Sequence, residues 1–370
     1  MDARYLRPQI EADLRKKMVF VAGPRQVGKT TLALTLPGAA DGYLNWDVAE
    51  HRERILAREL PVAKLWVLDE IHKYRTWRNW LKGLWDGRRA GQRILVTGSA
   101  RLDFYRYAGD SLQGRYHLLR LHPLSCRELD VATADGLEAL FALGGFPEPF
   151  FSGSQTEARR WSREYRNLLL REEVRSLERV HDISNLELLM LRLQELVGSL
   201  LSINALREDL QVSHKTLASW LAILERLFAI FRVSPFGTPK VRAIKKAQKH
   251  YHWDWSVVAN DAARFENLVG SHLLKWVHWQ QDTQGRALEL RYFRDTDGRE
   301  VVFVVVDGRR PLLLVECKLG DDRLDPSLRY LHERFTGADA WQVSLRGKKN
   351  FVTPGGVRVA PALELLRTLV

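Results

Sequence analysis

Short apolar runs alternate with helical patterns over the first third of the chain. The runs predict buried strands at residues 18–22, 42–45, 65–68, 93–97 and 116–121. Between them, hydrophobic residues recur at helical spacing, as in the tryptophan-rich stretch 77–89. Strands separated by helices predict βαβ units and a mostly parallel sheet that is covered on both faces.

The pattern changes twice further along the chain. Residues 157–231 are almost entirely helical in period, and a Pro- and Gly-containing break follows at 234–239. After it, a helix is predicted at 262–279 and strands at 288–293, 301–306 and 312–317. We therefore expect an α/β domain at 1–150, a helical region at 151–235 and a second α/β domain at 236–370.

Composition narrows the class of protein. The chain has 370 residues, 45% of them hydrophobic, which is ample for packed cores. Its net charge of +12 suits a polyanionic partner, nucleic acid first and an acidic membrane surface second. The two cysteines, Cys126 and Cys317, exclude a disulfide framework and fit a reducing compartment. Because no apolar run approaches the length of a membrane span, we expect a cytoplasmic protein without a membrane partner.

A glycine-rich loop stands between the first strand and the first long helix. Its sequence satisfies G-x-x-x-x-G-K-[ST], in which backbone N–H groups and the start of the helix surround phosphates. Lys29 is expected to reach the β- and γ-phosphates of ATP, and Thr30 to ligate Mg²⁺. The predicted nucleotide-binding residues are Gly23, Pro24, Arg25, Gln26, Val27, Gly28, Lys29, Thr30 and Thr31.

Polar residues at later strand ends complete the predicted site. Asp69 would hold the Mg²⁺ shell, and Glu70 would orient and polarise the attacking water. Ser99 is a candidate polar group near the γ-phosphate, or a residue of a Gly-Ser turn without a ligand. Arg115 is a candidate charge-stabilising arginine, in cis or from a neighbouring subunit, or else a solvated arginine before a strand. Asp47 is expected to cap the helix that follows it.

Five motifs together resemble a widespread family of bacterial and archaeal AAA-type ATPases, over nearly the whole chain. They lie at residues 23–31, 68–71, 97–100, 112–115 and 144–149. The resemblance implies a P-loop domain with the AAA-type sheet order, a C-terminal domain of uncharacterised function, and a homo-oligomeric ring or partial ring.

The helical region ends in a pattern that resembles a winged helix-turn-helix. A short helix at 201–210 and a longer one at 213–227 precede an apolar run, and Ser213 is a good N-cap. His214, Lys215, Ala218 and Ser219 would then face a DNA major groove. The alternative is a packing module without DNA contact.

A basic run follows directly. It predicts a stripe that contacts DNA phosphates, or a solvated loop. Its residues include Lys240, Arg242, Lys245, Lys246, Lys249 and His250.

The last part resembles the PD-(D/E)xK nuclease core. Glu266 on a helix and Glu316 with Lys318 at the end of a strand match its layout. That chemistry needs several carboxylates around a divalent metal, and Val302 stands where the resemblance implies an aspartate. Valine cannot ligate a hard cation, so we expect no metal-dependent cleavage.

The sequence thus favours an oligomeric, Mg²⁺-dependent AAA-type ATPase that binds and remodels or translocates duplex or branched DNA. One alternative is a nucleotide-dependent switch that binds a protein partner. Another is an ATP-coupled nuclease that depends on Glu316 and Lys318.

Overall fold

A computed structural model of the protein describes residues 4–98, 112–170, 182–237 and 248–370. These residues form two compact units. The first comprises the described part of 1–122 together with 282–284, and the second comprises that of 123–281 and 285–370. Among the described helices, none combines the length and hydrophobicity that crossing a membrane requires.

Helices and parallel strands alternate in the first unit. Its strands are β1 (Met18–Ala22), β2 (Tyr43–Asn45), β3 (Leu65–Asp69), β4 (Arg93–Gly98) and β5 (Tyr116–Arg120). Its helices are α1 (Arg7–Asp13), α2 (Lys29–Leu34), α3 (Ala49–Ala57) and α4 (Trp77–Asp86). The apolar runs thus predicted all five of these strands, whereas no pattern in the sequence had predicted α1.

The strand order in the first unit is β2-β3-β4-β1-β5, and every neighbouring pair is parallel. The carboxyl ends of all five strands therefore lie at one edge, where β1 leads into the glycine-rich loop. Asn45, Asp69 and Thr97 lie side by side at this edge in the register of β2, β3 and β4. The predicted parallel P-loop sheet is confirmed.

One face of this sheet packs against α4. Trp77 and Leu81 of α4 are buried and join Phe20 and Val96 in a single apolar core. Phe20 also stacks on Tyr116 of β5, with ring centroids 4.3 Å apart. Burial of these large side chains fixes the sheet on which the polar edge is built.

The second unit begins with helices and ends with a mixed sheet. Its helices are α5 (Ala134–Leu143), α6 (Pro147–Ser152), α7 (Gln155–Leu168), α8 (Ile183–Glu195), α9 (Ile203–Asp209), α10 (His214–Arg226), α11 (Asp261–Gln284, except its last three residues), α12 (Pro326–Arg334) and α13 (Ala362–Leu366). Its strands are β6 (Ile230–Pro235), β7 (Lys249–His252), β8 (Leu288–Arg294), β9 (Glu300–Asp307), β10 (Arg310–Lys318), β11 (Asp339–Ser344), β12 (Phe351–Val352) and β13 (Arg358–Pro361).

These strands form a sheet in the order β12-β13-β11-β10-β9-β8-β6-β7. Strands β8, β9 and β10 are antiparallel neighbours, whereas β10 pairs parallel with β11. Helix α12 packs on a core that includes Val304 of β9 and Leu314 of β10. The predicted helical region followed by a second α/β part is thus confirmed.

Two helices and a hairpin lie in the middle of the second unit. Ser213 caps α10, since its hydroxyl accepts a hydrogen bond from the Thr216 amide. Gln211, in the turn between α9 and α10, has a left-handed φ of 52°. Strand β6 then pairs antiparallel with β7. The order of short helix, tight turn and longer helix is the one that the sequence pattern predicted.

The expectation for Lys249 and His250 was wrong. Both are buried in β7, with exposed fractions of 2% and 0%, so neither can form part of a solvent-exposed phosphate stripe. A basic run looks solvated in the sequence because the carboxylates that neutralise a buried lysine come from other elements of the fold.

Candidate functional site

Two glycines shape the loop that joins β1 to α2. A Cβ on Gly23 would lie 2.4 Å from the Leu121 carbonyl oxygen, so only glycine allows this close approach. Gly28 has a left-handed φ of 96° and lies just before α2. The loop is therefore built on the positions that the motif requires to be glycine.

The ammonium group of Lys29 is buried inside this loop. Its Nζ donates hydrogen bonds to the Gly23 carbonyl at 3.0 Å and to the Pro24 carbonyl at 2.5 Å. Lys29 is 7% exposed and is the first residue of α2. A fixed positive charge therefore lies within the curve of the loop, where phosphate oxygens could replace the two carbonyls.

Asp69 accepts hydrogen bonds from three hydroxyl groups. Its Oδ2 lies 2.7 Å from Thr30 Oγ1 and 2.9 Å from Tyr43 Oη, and its Oδ1 lies 2.5 Å from Thr97 Oγ1. Asn45 Nδ2 in turn donates to Tyr43 Oη at 3.1 Å. The predicted Mg²⁺ ligands, Thr30 and Asp69, are thus in direct contact, and their hydroxyl and carboxylate oxygens are donors that suit this hard cation.

Glu70 follows Asp69 at the end of β3 in a left-handed conformation with φ 54°. Its amide donates to the Thr97 carbonyl at 2.9 Å. Its Oε2 lies 3.3 Å from Lys73 Nζ and 3.6 Å from His72 Nε2. Burial raises the pKa of Glu70, although Lys73 and Lys29 partly oppose this shift. A raised pKa makes the carboxylate a better proton acceptor.

Two residues before α1 contact the loop and the end of β5, and no motif had pointed to them. Arg4 is 5% exposed, and its Nη1 donates to the Val27 carbonyl at 2.6 Å. Tyr5 Oη donates to the Arg120 carbonyl at 2.6 Å, at the end of β5. The N-terminal segment therefore supports the glycine-rich loop from the side of the first unit where β5 ends.

Arg115 lies at the other edge of the first sheet. Its carbonyl accepts a hydrogen bond from Met18, the first residue of β1, and its Nε lies 3.0 Å from Asp86 Oδ1. At about 3.3 Å per residue, β1 separates it from the loop by roughly 15 Å. This position argues against the cis role for Arg115, whereas the role in a neighbouring subunit and the alternative of an arginine without a catalytic role both stay predictions.

The remaining predicted residues have different outcomes. Asp47 does not cap α3, and instead its Oδ2 lies 2.5 Å from Lys73 Nζ. Ser99, Lys245 and Lys246 lie outside the described residues. His214, Lys215 and Ser219 are exposed on the first turns of α10.

Comparison with known families agrees with the fold of the first unit. The family model described as AAA domain matches residues 15–130. Two models described as domains of unknown function, DUF8612 and DUF4143, match residues 134–266 and 262–365. The first match agrees with the parallel sheet and the glycine-rich loop, which give the N-terminal part of the chain the fold of a P-loop NTPase.

Curated relatives include the uncharacterized proteins Mb2031c of Mycobacterium bovis and Rv2008c of Mycobacterium tuberculosis. Each is 26% identical over 242 residues, which is 64% of this chain and 54% of the relative. The chain therefore spans about half the length of these relatives.

Similar solved structures include the Walker-type ATPase PABY2304 of Pyrococcus abyssi, with a TM-score of 0.44 and 15% identity. That match covers 71% of this chain and 96% of the other. A variant of RuvB from Thermotoga maritima has a TM-score of 0.30 and 18% identity, and covers 62% of this chain and 88% of the other.

Proposed function

We propose that the protein is an oligomeric, Mg²⁺-dependent ATPase that binds DNA and uses nucleotide turnover to remodel it or move along it. The observation that carries the ATPase part is the 2.7 Å contact between Thr30 and Asp69. This contact joins the phosphate loop to the strand end that bears Glu70. ATP would bind the loop at 23–30, with Lys29 exchanging its two loop carbonyls for phosphate oxygens.

Thr30 and Asp69 would hold Mg²⁺, which supplies positive charge to the phosphates. Glu70 would accept a proton from the attacking water. The water oxygen would bond to the γ-phosphorus, while the bond to the β,γ-bridging oxygen breaks and ADP leaves with its electron pair. Burial around Glu70 supports this role, because the raised pKa favours proton acceptance.

The DNA part of the proposal is supported by the second unit and by the charge of the chain. Helices α9 and α10 with the β6–β7 hairpin give the element order of a winged helix-turn-helix. His214, Lys215 and Ser219 are exposed at the start of α10, which is the part of a recognition helix that contacts bases. A net charge of +12 adds attraction to the DNA backbone.

The test measures steady-state ATP hydrolysis and DNA binding with duplex, single-stranded and junction DNA at two salt concentrations. We expect DNA to change the hydrolysis rate. We also expect Lys215→Glu to weaken binding and to reduce the slope of log K against log salt by about one unit. Lys348→Glu, at an exposed lysine of the second unit, is the matched control and should bind DNA as the wild type does.

Absence of any DNA effect on hydrolysis, together with no binding by the wild-type protein, would contradict the DNA part. Nucleotide turnover would then point to the alternative, a nucleotide-dependent switch that binds a protein partner. Equal loss of binding in Lys215→Glu and Lys348→Glu would mean that binding follows net charge and does not use α10.

A further inference from the structure

A buried lysine of the second unit lies between two carboxylates from different elements. Lys249 is the first residue of β7, and its Nζ lies 2.5 Å from Glu300 Oε1 and 3.6 Å from Glu266 Oε1. Glu266 belongs to α11, and Glu300 begins β9. One ammonium group therefore joins the hairpin strand β7 to a helix and to β9, from which β6 and β8 separate it in the sheet.

The surroundings hold the Glu266 carboxylate in place for this contact. Tyr251 Oη donates a hydrogen bond to Glu266 Oε1 at 2.5 Å. A Cβ on Gly198 would lie 2.8 Å from the same oxygen, so the glycine leaves the space that the carboxylate fills. The Gly198 amide donates to the His250 carbonyl at 3.3 Å, which ties this wall to β7.

Electrostatics favour a charged lysine at this place. Burial opposes the charge, but Glu266 and Glu300 outweigh it and raise the pKa of Lys249. Burial also opposes the charge of Glu266 and therefore raises its pKa, and Lys249 is the first group that opposes that shift. Each partner therefore depends on the other, as buried ion pairs do.

A second lysine, Lys318 at the end of β10, forms ion pairs with two further carboxylates. Lys318 Nζ lies 3.0 Å from Glu316 Oε1 and 2.9 Å from Asp325 Oδ2. The Val302 amide donates to Glu316 Oε2 at 3.3 Å, while its apolar side chain stands where the nuclease resemblance implied an aspartate. The carboxylates of the nuclease-like motif thus have lysine partners.

These residues do not fit a divalent metal. A hard cation needs several oxygen ligands, and Val302 supplies none from its side chain. Among the residues that the structure describes, no group of three or more His, Cys, Asp or Glu side chains is arranged to hold an ion. Any ion placed between Glu266 and Glu300 would also have to displace the Lys249 ammonium.

We propose that Lys249 is the resident cation of this cluster: its ammonium balances Glu266 and Glu300 in place of a divalent metal and fastens the β6–β7 hairpin to α11 and β9. The cluster then serves to hold the hairpin in place and does not cleave nucleic acid. The first strand of the hairpin is the next regular element after α10 in the chain, so this lysine anchors the element that follows the helix.

The first test is a double-mutant cycle on the thermal unfolding of the full chain without nucleotide. Lys249→Met removes the positive charge opposite the buried Glu266 carboxylate and should lower the melting temperature by roughly 5–15 °C. Adding Glu266→Gln should recover part of this loss, because the uncompensated charge is then removed. Lys348→Met, at an exposed lysine, is the control and should melt with the wild type. Additive effects of Lys249→Met and Glu266→Gln would overturn the proposal.

The second test needs no lysine variant and so stands even if Lys249→Met does not fold. Melting temperatures of wild-type and Glu266→Gln proteins are compared in Mn²⁺ and in EDTA. We expect Mn²⁺ to give no stabilisation that depends on Glu266. If Mn²⁺ raises the melting temperature equally in the wild type and in Glu266→Gln, the ion binds at another site. That result supports the proposal, as does the absence of any rise. A rise in the wild type that Glu266→Gln abolishes would show that the cluster takes a divalent ion, and would overturn it.

Discussion

The carboxylate of Asp69 accepts hydrogen bonds from hydroxyl groups on three elements. Thr30 comes from α2, Tyr43 from β2 and Thr97 from β4. If Thr30 turns to a metal ion, Tyr43 and Thr97 still hold the carboxylate in place. Burial, followed by the nearby Asp69, raises the pKa of Tyr43 to about 12, so its hydroxyl stays protonated and continues to donate.

We therefore expect Tyr43→Phe to raise the Mg²⁺ concentration that hydrolysis requires, with little effect on the rate of the chemical step. A hydrogen bond to a charged group contributes about 1.5–3 kcal/mol, so the Mg²⁺ concentration for half-maximal hydrolysis should rise by about 10- to 100-fold. The turnover number at saturating Mg²⁺ should change little, and nucleotide binding in EDTA should be unchanged. Tyr330→Phe, which removes a hydroxyl from α12, is the control. A fall in turnover without any shift in the Mg²⁺ response would contradict the positioning role.

At this scale the sequence predicted the residues that carry a motif and missed those that support them. Lys29, Thr30, Asp69 and Glu70 could be identified because loop spacing and strand ends define them. Tyr43 and Thr97 were missed, because only the order of β2, β3 and β4 in the sheet brings their hydroxyl groups within reach of the Asp69 carboxylate. Arg4 gave no signal, because its contact with the Val27 carbonyl depends on the three-dimensional path of the chain.

At the scale of elements, the packing of α11 on β9 depends on a helical glycine. A Cβ on Gly270 would lie 2.6 Å from Cζ of Phe303, whose ring is fully buried. The ring cannot move aside without disturbing its own neighbours, which include Tyr251 at a centroid distance of 5.3 Å. The glycine thus sets the distance between helix and sheet.

Two glycine-to-alanine changes should therefore have opposite effects on the free energy of unfolding. Gly270→Ala should lower it by about 1–3 kcal/mol through overpacking, despite the better helix propensity of alanine. Gly83→Ala in α4, where a Cβ would meet nothing within 4 Å, should raise it by about 0.5–1 kcal/mol. Chemical denaturation of both variants measures the difference. Stabilisation by Gly270→Ala would show that the helix and Phe303 adjust freely.

Strands with continuous or alternating apolar residues were predictable, whereas β7 and β12 were not. Strands β1 and β9 consist largely of buried apolar residues and appear directly in the sequence. Both residues of β12 are exposed, so no hydrophobic period marks it. Strand β7 begins with a lysine whose counter-charges come from α11 and β9, and local pattern cannot show such distant partners.

At the scale of the whole molecule, the position of Arg115 raises the question of whether a second copy completes the proposed site. Arg115 lies at the edge of the first sheet away from the phosphate loop of its own chain. If it stabilises transition-state charge, it must do so in a neighbouring copy. This dependence can be tested by mixing two inactive variants.

Arg115→Ala and Lys29→Ala should each hydrolyse ATP poorly, and their mixture should recover part of the activity. In a mixed oligomer, the intact loop of the Arg115→Ala chain meets the intact arginine of the Lys29→Ala chain. Hydrolysis is measured against the mixing ratio, with Arg89→Ala, at an exposed arginine, as a control that should stay active alone. Full activity of Arg115→Ala by itself would remove the arginine from the mechanism.

The most direct test of the account compares ATP binding and single-turnover hydrolysis by the wild-type and Glu70→Gln proteins in the presence of Mg²⁺. We expect both proteins to bind ATP, and hydrolysis by Glu70→Gln to be slower by about 10²–10⁴-fold, because the proton acceptor is lost. Glu59→Gln, at an exposed glutamate of the same unit, should hydrolyse ATP as the wild type does. Hydrolysis by Glu70→Gln at the wild-type rate, or a wild-type protein that neither binds nor hydrolyses ATP, would contradict the central claim.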